Sequence, residues 1–227
     1  MGGRGSSSKV FLPPSGQGQF SDSSLIEQLP STAKEALGRK GKEKTVSAAL
    51  KDANPRYNAR YSEYSENCQR CVVAYELQRR GYDVEAQPTY AGDKWPQVLN
   101  VGGQRLGRWR GAFRGAVTEN VSASGNSPRA QAKVLQTIAD RMRAYGPGAR
   151  AVVNIKYRGH SVGHVFSVEN TGGRVQYMDA QTGERYTAAD MRAFMQVVDT
   201  GVVGLTRTDN LRISDRAKEF VWTRRKR

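Results

Sequence analysis

The stretch GHVFSVENTGGRVQYMDAQTG, Gly163–Gly183, predicts a β-hairpin. Its segments HVFSVE and RVQYMD have the alternating or continuous apolar pattern of strands, and NTGG between them supplies the turn. His164 opens the first strand and Asp179 closes the second, so the hairpin should place both side chains at one end of two neighbouring strands. Taken singly, a solvent-exposed histidine and an aspartate that begins a turn are the ordinary interpretations. The meaning of the pair therefore depends on a third residue elsewhere in the chain.

The segments around this hairpin predict an α+β fold. SPRAQAKVLQTIADRMRAYGPG has Ser127 as a cap, Pro128 at the first helical position and Gly146 as a stop, which together predict a helix. ARAVVNIKY and VVGLTRTD add strands, and TAADMRAFMQ adds a short helix. Residues 89–126 show no sustained period, and we expect loops there with a short helix near Phe113. Helices thus come first and an antiparallel sheet follows, as in α+β proteins.

NCQRCVVAYELQRRGYDVEAQP, Asn67–Pro88, predicts a helix followed by a short strand. Asn67 is a favourable N-cap residue, and Gly81, after two arginines, is favourable just past the helix end. Apolar residues recur at helical spacing and define one apolar side: Cys68, Cys71, Val72, Tyr75 and Leu77. Both cysteines of the chain therefore lie in one helix, and Cys68 lies in its first turn.

Cys68 is the better candidate for a nucleophilic thiol. The first turn of a helix has backbone N–H groups without intrahelical partners and the positive end of the helix dipole, and both favour a thiolate. The same N–H groups can stabilise an oxyanion. Cys71 lies one turn deeper, where we expect a small buried packing residue. A core cysteine is the ordinary interpretation of either residue alone.

A nucleophilic thiol needs a base, and the base needs an orienting acceptor. His164 suits the first task because imidazole titrates near neutral pH. Asp179, on the next strand of the hairpin, suits the second. The sequence therefore favours Cys68, His164 and Asp179 as one catalytic set over three unrelated residues.

The two cysteines and two histidines also allow a metal site as an alternative. Cys68-x₂-Cys71 and His160-x₃-His164 have the two half-spacings of a Cys₂His₂ zinc site. The separation between the halves far exceeds the roughly 12 residues of a zinc finger, so neither a metal nor another cofactor is favoured. A thioredoxin-like redox role for Cys-x-x-Cys is weaker still, because it requires a buried strand before the motif and RYNARYSEYSE is too polar.

The composition is that of a basic chain that can fold as a soluble domain. The 227 residues carry a formal net charge of +15, with 37% hydrophobic and 25% charged residues. This positive charge is typical of proteins that bind nucleic acid or an acidic surface. The basic residues are spread along the chain, however, with only TRRKR as a cluster, which favours a solvated basic surface. No apolar run approaches the ~20 residues that span a bilayer, and we expect neither a membrane partner nor a Sec-type signal peptide.

Three of these motifs resemble those of one family. Asn67–Cys68 at a helix start, Gly163–Phe166 in a strand and Asp179–Gly183 after the hairpin occur in this order. The later LTRTDNL, Leu205–Leu211, resembles the family's closing strand. The pattern is similar to the papain-fold toxin domain of bacterial polymorphic toxins and phage head-associated proteins, which is described as a protein-glutamine deamidase. The resemblance covers roughly Asn54–Leu211.

The resemblance implies a papain-like fold and a catalytic triad of Cys68, His164 and Asp179. It also places Asn67 and Gln181 as supporting residues near the oxyanion, and Gln181 either orients the histidine or braces the loop. The implied reaction converts a glutamine side chain of a target protein to glutamate through a thioester, without a cofactor.

The same triad would also serve a papain-like cysteine protease or a transglutaminase, and a catalytically inactive basic binding module is the non-enzymatic alternative. The leading hypothesis implies a target protein with a reactive glutamine and allows for a cognate immunity protein, whereas nucleic acid is not favoured. Such a toxin or effector is expected to be secreted, or delivered into a target cell as part of a larger toxin or phage protein.

Composition and motifs together predict four segments. Residues 1–21, rich in Gly, Ser and Pro, are expected to form a flexible arm. Residues 22–53 contain short polar helical pieces and are expected to form a helical lead-in. The papain-like catalytic domain is expected over residues 54–213, beginning at the Asn-Pro turn signal, and a basic C-terminal tail over residues 214–227.

Overall fold

The structure is a computed structural model that describes residues 32–89 and 108–224. The predicted arm lies outside the described residues, as do residues 22–31, 90–107 and 225–227. The helices are α1 (Ala33–Leu37), α2 (Val46–Ala53), α3 (Ser62–Ser65), α4 (Cys68–Arg79), α5 (Pro128–Tyr145) and α6 (Ala188–Met195). The strands are β1 (Val84–Ala86), β2 (Glu119–Asn120), β3 (Arg150–Tyr157), β4 (Gly163–Thr171), β5 (Arg174–Asp179), β6 (Glu184–Tyr186), β7 (Val198–Arg207) and β8 (Val221–Thr223). Two short 3₁₀ helices span Arg108–Ala112 and Asp215–Glu219.

The main sheet has six antiparallel strands in the order β2-β7-β3-β4-β5-β6. The predicted hairpin is β4–β5, in which Thr171 pairs with Arg174. Gly172 and Gly173 form the two-residue turn with φ values of 59° and 91°, the left-handed conformation that glycine adopts readily in tight hairpins. The α+β class is confirmed, because most of the helical residues precede this antiparallel sheet.

The sheet carries a hydrophobic core on each face, because side chains alternate along its strands. Along β3, Val152 belongs to the core under α2 and α4, whereas Val153 belongs to the core under α5 and α6. The predicted core stripe of α5 is buried at three positions, namely Val134, Ile138 and Met142. Leu135, the fourth residue of that stripe, is only partly buried against the same core.

Helix α4 is buried on all sides, whereas the sequence pattern predicts a single apolar side. It packs against β4 of the sheet and also against α2, β1 and the 3₁₀ helix Arg108–Ala112. Its polar residues are therefore buried as well: Gln69, Arg70, Glu76 and Gln78. Burial of such groups is tolerated when they find partners inside the protein. The apolar pattern alone could not predict this, because those partners lie far away in the sequence.

Two buried carboxylates fasten the C-terminal half of α4 to the sheet. Glu169 of β4 accepts a hydrogen bond from the Tyr75 hydroxyl at 2.8 Å and two from the Arg79 guanidinium at 2.8 and 3.1 Å. Glu76 of α4 accepts two from the Arg150 guanidinium of β3, at 2.8 and 3.1 Å. Glu76 is also held by the Arg80 guanidinium at 2.7 Å. Paired, hydrogen-bonded charges of this kind fix geometry, because loss of a partner from a buried charge is costly.

These fastenings set where the start of α4 lies along β4. A rise of ~1.5 Å per helical residue separates Cys68 from Arg79 by about 17 Å. A rise of ~3.3 Å per strand residue separates His164 from Glu169 by about 17 Å as well. Because Arg79 is bonded to Glu169, the equal lengths bring Cys68 level with His164.

The structure differs from the sequence-based division at the C-terminal end. Strand β8 pairs with β1, with Glu85 opposite Trp222. Phe220 and Val221 are fully buried, and Thr223 donates a hydrogen bond to the carbonyl of Glu35 in α1 at 2.8 Å. Residues 214–224, predicted as the start of a basic tail, are thus packed against the predicted helical lead-in. The apolar pair Val221–Trp222 is too short a pattern to predict a strand from the sequence.

The segment predicted as loops is partly described. The 3₁₀ helix Arg108–Ala112 ends next to Phe113, close to the predicted short helix, and β2 adds two residues to the edge of the sheet. No helix in the described ranges is long and apolar enough to cross a membrane.

Replacement of Gly81 by alanine should destabilise the fold by more than about 2 kcal/mol. Gly81 follows the end of α4 with a φ of 94°, and an added Cβ would overlap the carbonyl oxygen of Gly41. Urea unfolding followed by circular dichroism measures the loss.

The matched control is Gly115→Ala, because Gly115 has a φ of 72° but nothing within 4 Å of an added Cβ. This control should lose only about 1 kcal/mol, the cost of the backbone conformation. Equal losses at the two positions would contradict the close approach of Gly41 to the end of α4.

Candidate active site

Cys68 is the first residue of α4, as the sequence predicts. Its side chain is partly exposed, whereas that of Cys71, one turn further on, is fully buried. Asn67 occupies the N-cap position, and its carbonyl oxygen accepts the N–H groups of Arg70 and Cys71 at 2.8 and 3.1 Å. The helix therefore begins in a tight turn directly beneath the Cys68 thiol.

The structure brings together the two ends of the predicted hairpin. His164 Nε2 lies 2.8 Å from Asp179 Oδ2, and both side chains are buried. The β4–β5 pairing extends only to Ser167 and Met178. The two side chains thus meet just beyond the last pair, where the strands no longer exchange ladder hydrogen bonds.

The third member of the set reaches the same histidine. The Cys68 side chain lies close enough to the His164 ring to contribute to the raised pKa of the imidazole. Since Nε2 is occupied by Asp179, Nδ1 is the nitrogen left for Cys68. The imidazole therefore lies between a carboxylate and a thiol, the order in which a proton moves from nucleophile to base.

Asp179 is held as a carboxylate by three donors. Its Oδ2 accepts from His164 and from the Tyr186 hydroxyl at 2.9 Å, and its Oδ1 accepts from the Gln181 backbone N–H at 2.9 Å. Burial works against the charge, but His164 and these hydrogen bonds outweigh it and lower the Asp179 pKa.

His164 responds in the opposite sense. Burial alone would lower its pKa, but the charge of Asp179 and the hydrogen bonds to Asp179 and Cys68 raise the pKa well above its ordinary value. An imidazole with a raised pKa accepts a proton from a neighbouring thiol more readily.

One protein family matches this chain. The family described as papain fold toxin 1, glutamine deamidase, matches residues 66–184, more than half of the chain. The chain belongs to this family. The matched range contains Cys68, His164, Asp179 and Gln181. No curated protein and no solved structure gives a significant match.

The papain fold toxin domain also has aromatic residues at the site to which the sequence analysis assigned no role. Tyr186, just outside the matched range, bonds to Asp179 and stacks on Phe194 with ring centroids 6.0 Å apart. Phe166 stacks on the His164 ring at 6.2 Å and contacts Phe194 at 5.5 Å. These rings fix the histidine and shield it from water. The only sequence signal was that Tyr186 and Phe166 occupy apolar positions near the predicted pair.

Tyr157 of β3 is a second aromatic neighbour of the set in this papain fold toxin domain. Burial raises its pKa, and the charges of Cys68 and Asp179 raise it further while His164 opposes them. Its ring also contacts Phe194, with centroids 6.3 Å apart. Tyr157 therefore borders the space around the thiol and the imidazole.

The side chain of Asn67 does not cap α4, contrary to the sequence prediction. Its amide nitrogen donates to Asn54 Oδ1 at 3.2 Å and to the carbonyl oxygen of Gln87 at 3.1 Å. Its Oδ1 accepts the Cys71 thiol at 3.1 Å. The backbone carbonyl of Asn67 already closes the first turn, so the side chain is free to join three segments around the start of α4.

Asn54 extends this buried amide pair to the loop after Asp179. Its amide nitrogen donates to the carbonyl oxygens of Gln181 and Tyr64, each at 2.8 Å. The side-chain amide of Gln181 in turn donates to the carbonyl oxygen of Ser65 in α3. The Gln181 side chain therefore connects the loop after Asp179 to α3.

The remaining residues of the zinc alternative are not assembled. Cys71 is buried in the core, where burial and then the charge of Cys68 raise the pKa of its thiol well above the usual value. His160 lies exposed in the turn between β3 and β4. Within residues 32–89 and 108–224, no group of three or more His, Cys, Asp or Glu side chains is placed to hold a metal ion.

Replacement of Asp179 by asparagine should lower the pKa of His164 by at least about one unit, because an opposite charge at hydrogen-bonding distance is lost. Titration of the histidine ring signals by NMR measures the shift. A His160→Gln variant assigns the signals, since the chain has two histidines. Identical His164 titrations with and without the Asp179 carboxylate would contradict the pairing.

The same shifts give the pH dependence of stability. The lowered Asp179 pKa and the raised His164 pKa contribute fully between the ordinary values, 3.8 and 6.5. The contribution is lost as pH falls through the Asp179 pKa of the folded protein, and as pH rises through that of His164.

The amide pair should show coupling in a double-mutant cycle. Asn54→Ala and Asn67→Ala each leave the other amide buried with a missing partner, so the double variant should lose at least about 1 kcal/mol less than the sum of the singles. Urea unfolding provides all four free energies. Asn210→Ala, in an exposed turn, is the control, and additive losses at Asn54 and Asn67 would contradict the bracing role.

Proposed function

We propose that this toxin domain deamidates a glutamine side chain of a target protein with Cys68 as nucleophile, His164 as acid and base, and Asp179 as the orienting carboxylate. The observation that carries the proposal is the chain of contacts from the Cys68 thiol through the His164 ring to Asp179, at the start of a buried helix. The glutamine deamidase family gives the reaction its class.

The reaction begins with transfer of the thiol proton of Cys68 to His164 Nδ1, stabilised by Asp179 on the other ring nitrogen. The thiolate attacks the carboxamide carbon, and the carbonyl π electrons move to oxygen to form a tetrahedral oxyanion. When the oxyanion collapses, the C–N bond breaks, His164 donates its proton to the leaving nitrogen, and ammonia departs. The product of this half-reaction is a thioester on Cys68.

Water completes the cycle. His164, now neutral, accepts a proton from a water molecule as its oxygen attacks the thioester carbon. The second tetrahedral oxyanion collapses with cleavage of the C–S bond, which leaves glutamate and returns the thiolate of Cys68 beside protonated His164. Asp179 keeps its charge throughout and holds the ring in one orientation.

We assign oxyanion stabilisation to the backbone N–H of Cys68. The N–H groups of Arg70 and Cys71 already bond to the Asn67 carbonyl, and both hydrogens of the Asn67 side-chain amide have acceptors. The N–H of Cys68 itself is the donor closest to a carbonyl carbon under attack by its own sulfur. Asn67 and Gln181 then act as supports of the site, through the loops that they join.

We further propose that the domain is delivered into a target cell as part of a larger toxin or phage protein. Its partners would be a protein with a reactive glutamine and a neutralising immunity protein. Many of its arginines are engaged within the fold, as in the pairs Arg79–Glu169, Arg150–Glu76 and Arg216–Glu219. This engagement favours a basic structural surface over a nucleic-acid site, although the net charge is +15.

Replacement of Cys68 by serine should reduce deamidation by at least about 10³-fold, because a neutral hydroxyl is a poor substitute for a thiolate. The assay uses benzyloxycarbonyl-glutaminyl-glycine and unfolded casein as substrates. Ammonia release and mass spectrometry detect conversion of glutamine to glutamate.

Cys71→Ala is the matched control, and it should retain activity since Cys71 is buried away from the substrate. Loss of activity in Cys71→Ala with full activity in Cys68→Ser would overturn the assignment of the nucleophile. New chain termini would indicate a protease instead, and an amine-dependent gain in mass would indicate a transglutaminase.

A further inference from the structure

An open groove of about 740 Å³ lies between α5 and α6, over β5. Its floor is formed by four larger apolar side chains: Leu135, Val175, Tyr177 and Met191. Its walls include the small residues Ala132, Ala139 and Ala188, and Gly172 and Gly173 lie at one end. Small side chains along two helices allow another backbone to approach closely.

The floor of this groove is incompletely covered. Leu135, Val175 and Tyr177 pack on the core under α5 and α6 but are only partly buried. Contiguous apolar surface left open in a groove, with polar residues around it, is typical of a protein interaction site. The apolar stripe of α5 thus includes one residue, Leu135, that the rest of the described fold does not fully cover.

The rim of the groove is positively charged. Arg143, Arg174 and Arg192 line it, and none of the described residues that line it is acidic. Arg143 forms an ion pair with Asp140 at 2.9 Å, and both side chains are more than half exposed. Arg174 and Arg192 are exposed and form no ion pair with any residue in the described ranges. An apolar floor with cationic edges is complementary to an apolar surface with acidic edges.

The length of the groove indicates the shape of its occupant. Along α5 it runs from Ala132 to Arg143, which is about 17 Å at ~1.5 Å per residue and equals three turns of a helix. We propose that this groove docks an acidic amphipathic helix of a partner protein. Its apolar side chains enter between α5 and α6, and its carboxylates pair with Arg174 and Arg192.

The groove is separate from the candidate active site. Gly172, in the turn after β4, lies about 26 Å from His164 at ~3.3 Å per strand residue. Tyr177 of the floor is two residues from Asp179, but α5 and α6 cover the opposite face of the sheet from α4 and Cys68. A partner seated in the groove therefore leaves Cys68 open to a substrate. The proposal does not depend on the catalytic assignment, and Cys68→Ser should bind the partner helix as well as the wild type does.

The test uses a fluorescein-labelled helical peptide with leucines along one face and glutamates along the other. Fluorescence anisotropy should show saturable binding to the full chain, and NMR shifts should concentrate at Gly172, Gly173 and α6. A peptide with lysines in place of the glutamates, and one with serines in place of the leucines, should each bind at least about tenfold more weakly.

Two variants locate the binding site. Arg174→Glu combined with Arg192→Glu should weaken binding of the acidic peptide by at least about tenfold. Ala132→Trp should do the same by filling the groove from an exposed helix position, which leaves the core intact. The control is Arg129→Glu combined with Arg158→Glu, which changes the net charge equally at exposed positions outside the groove.

Several results would overturn the proposal. They are the absence of saturable binding up to about 1 mM peptide, equal binding of the lysine peptide, or equal weakening by the control variant. Concentration-dependent self-association that Ala132→Trp abolishes would assign the groove to a second copy of the chain. Peptide binding that appears only after removal of residues 1–31 would assign it to the chain's own N-terminal segment.

Discussion

The Glu169 carboxylate, buried between Tyr75 and Arg79, holds α4 in one position along β4. The distance from Arg79 to Cys68 along the helix equals the distance from Glu169 to His164 along the strand. Cys68 and His164 therefore lie at the same height along β4. A shift of α4 by one strand residue along β4 would move Cys68 relative to the histidine by ~3 Å. The placement of Cys68 beside His164 thus depends on an ion pair at the other end of α4.

Burial of a charged pair is costly, and the site offsets this cost with hydrogen bonds. Asp179 has three donors, from His164, Tyr186 and the Gln181 backbone. The rings of Phe166 and Phe194 exclude water from one side of the imidazole. An imidazole in such surroundings keeps one orientation and retains a high affinity for protons. These are the properties that a base for a neighbouring thiol requires.

Sequence patterns predicted the local parts of this arrangement well. The hairpin with its glycine turn and the helix start at Cys68 follow from short-range rules. The patterns failed where long-range partners decide. Glu76 of α4 is buried where Arg150 lies opposite it, and Asn67 bonds to Asn54 and Gln87 instead of capping the helix. Strand β8 was not predicted, because a segment of three residues has too short a pattern and forms a strand only through its pairing with β1. Tyr186 carried no signal as a partner of Asp179.

In the proposed mechanism His164, held by Asp179, activates Cys68 and leaves Cys71 inert. The most direct measurement is the rate of iodoacetamide alkylation at each cysteine at neutral pH, read by peptide mass spectrometry without any substrate. Cys68 should be alkylated while Cys71 stays protected in the folded protein, and His164→Gln should slow the reaction at Cys68 by at least about tenfold. Equal alkylation of both cysteines, or a Cys68 rate that is unchanged in His164→Gln, would contradict the account.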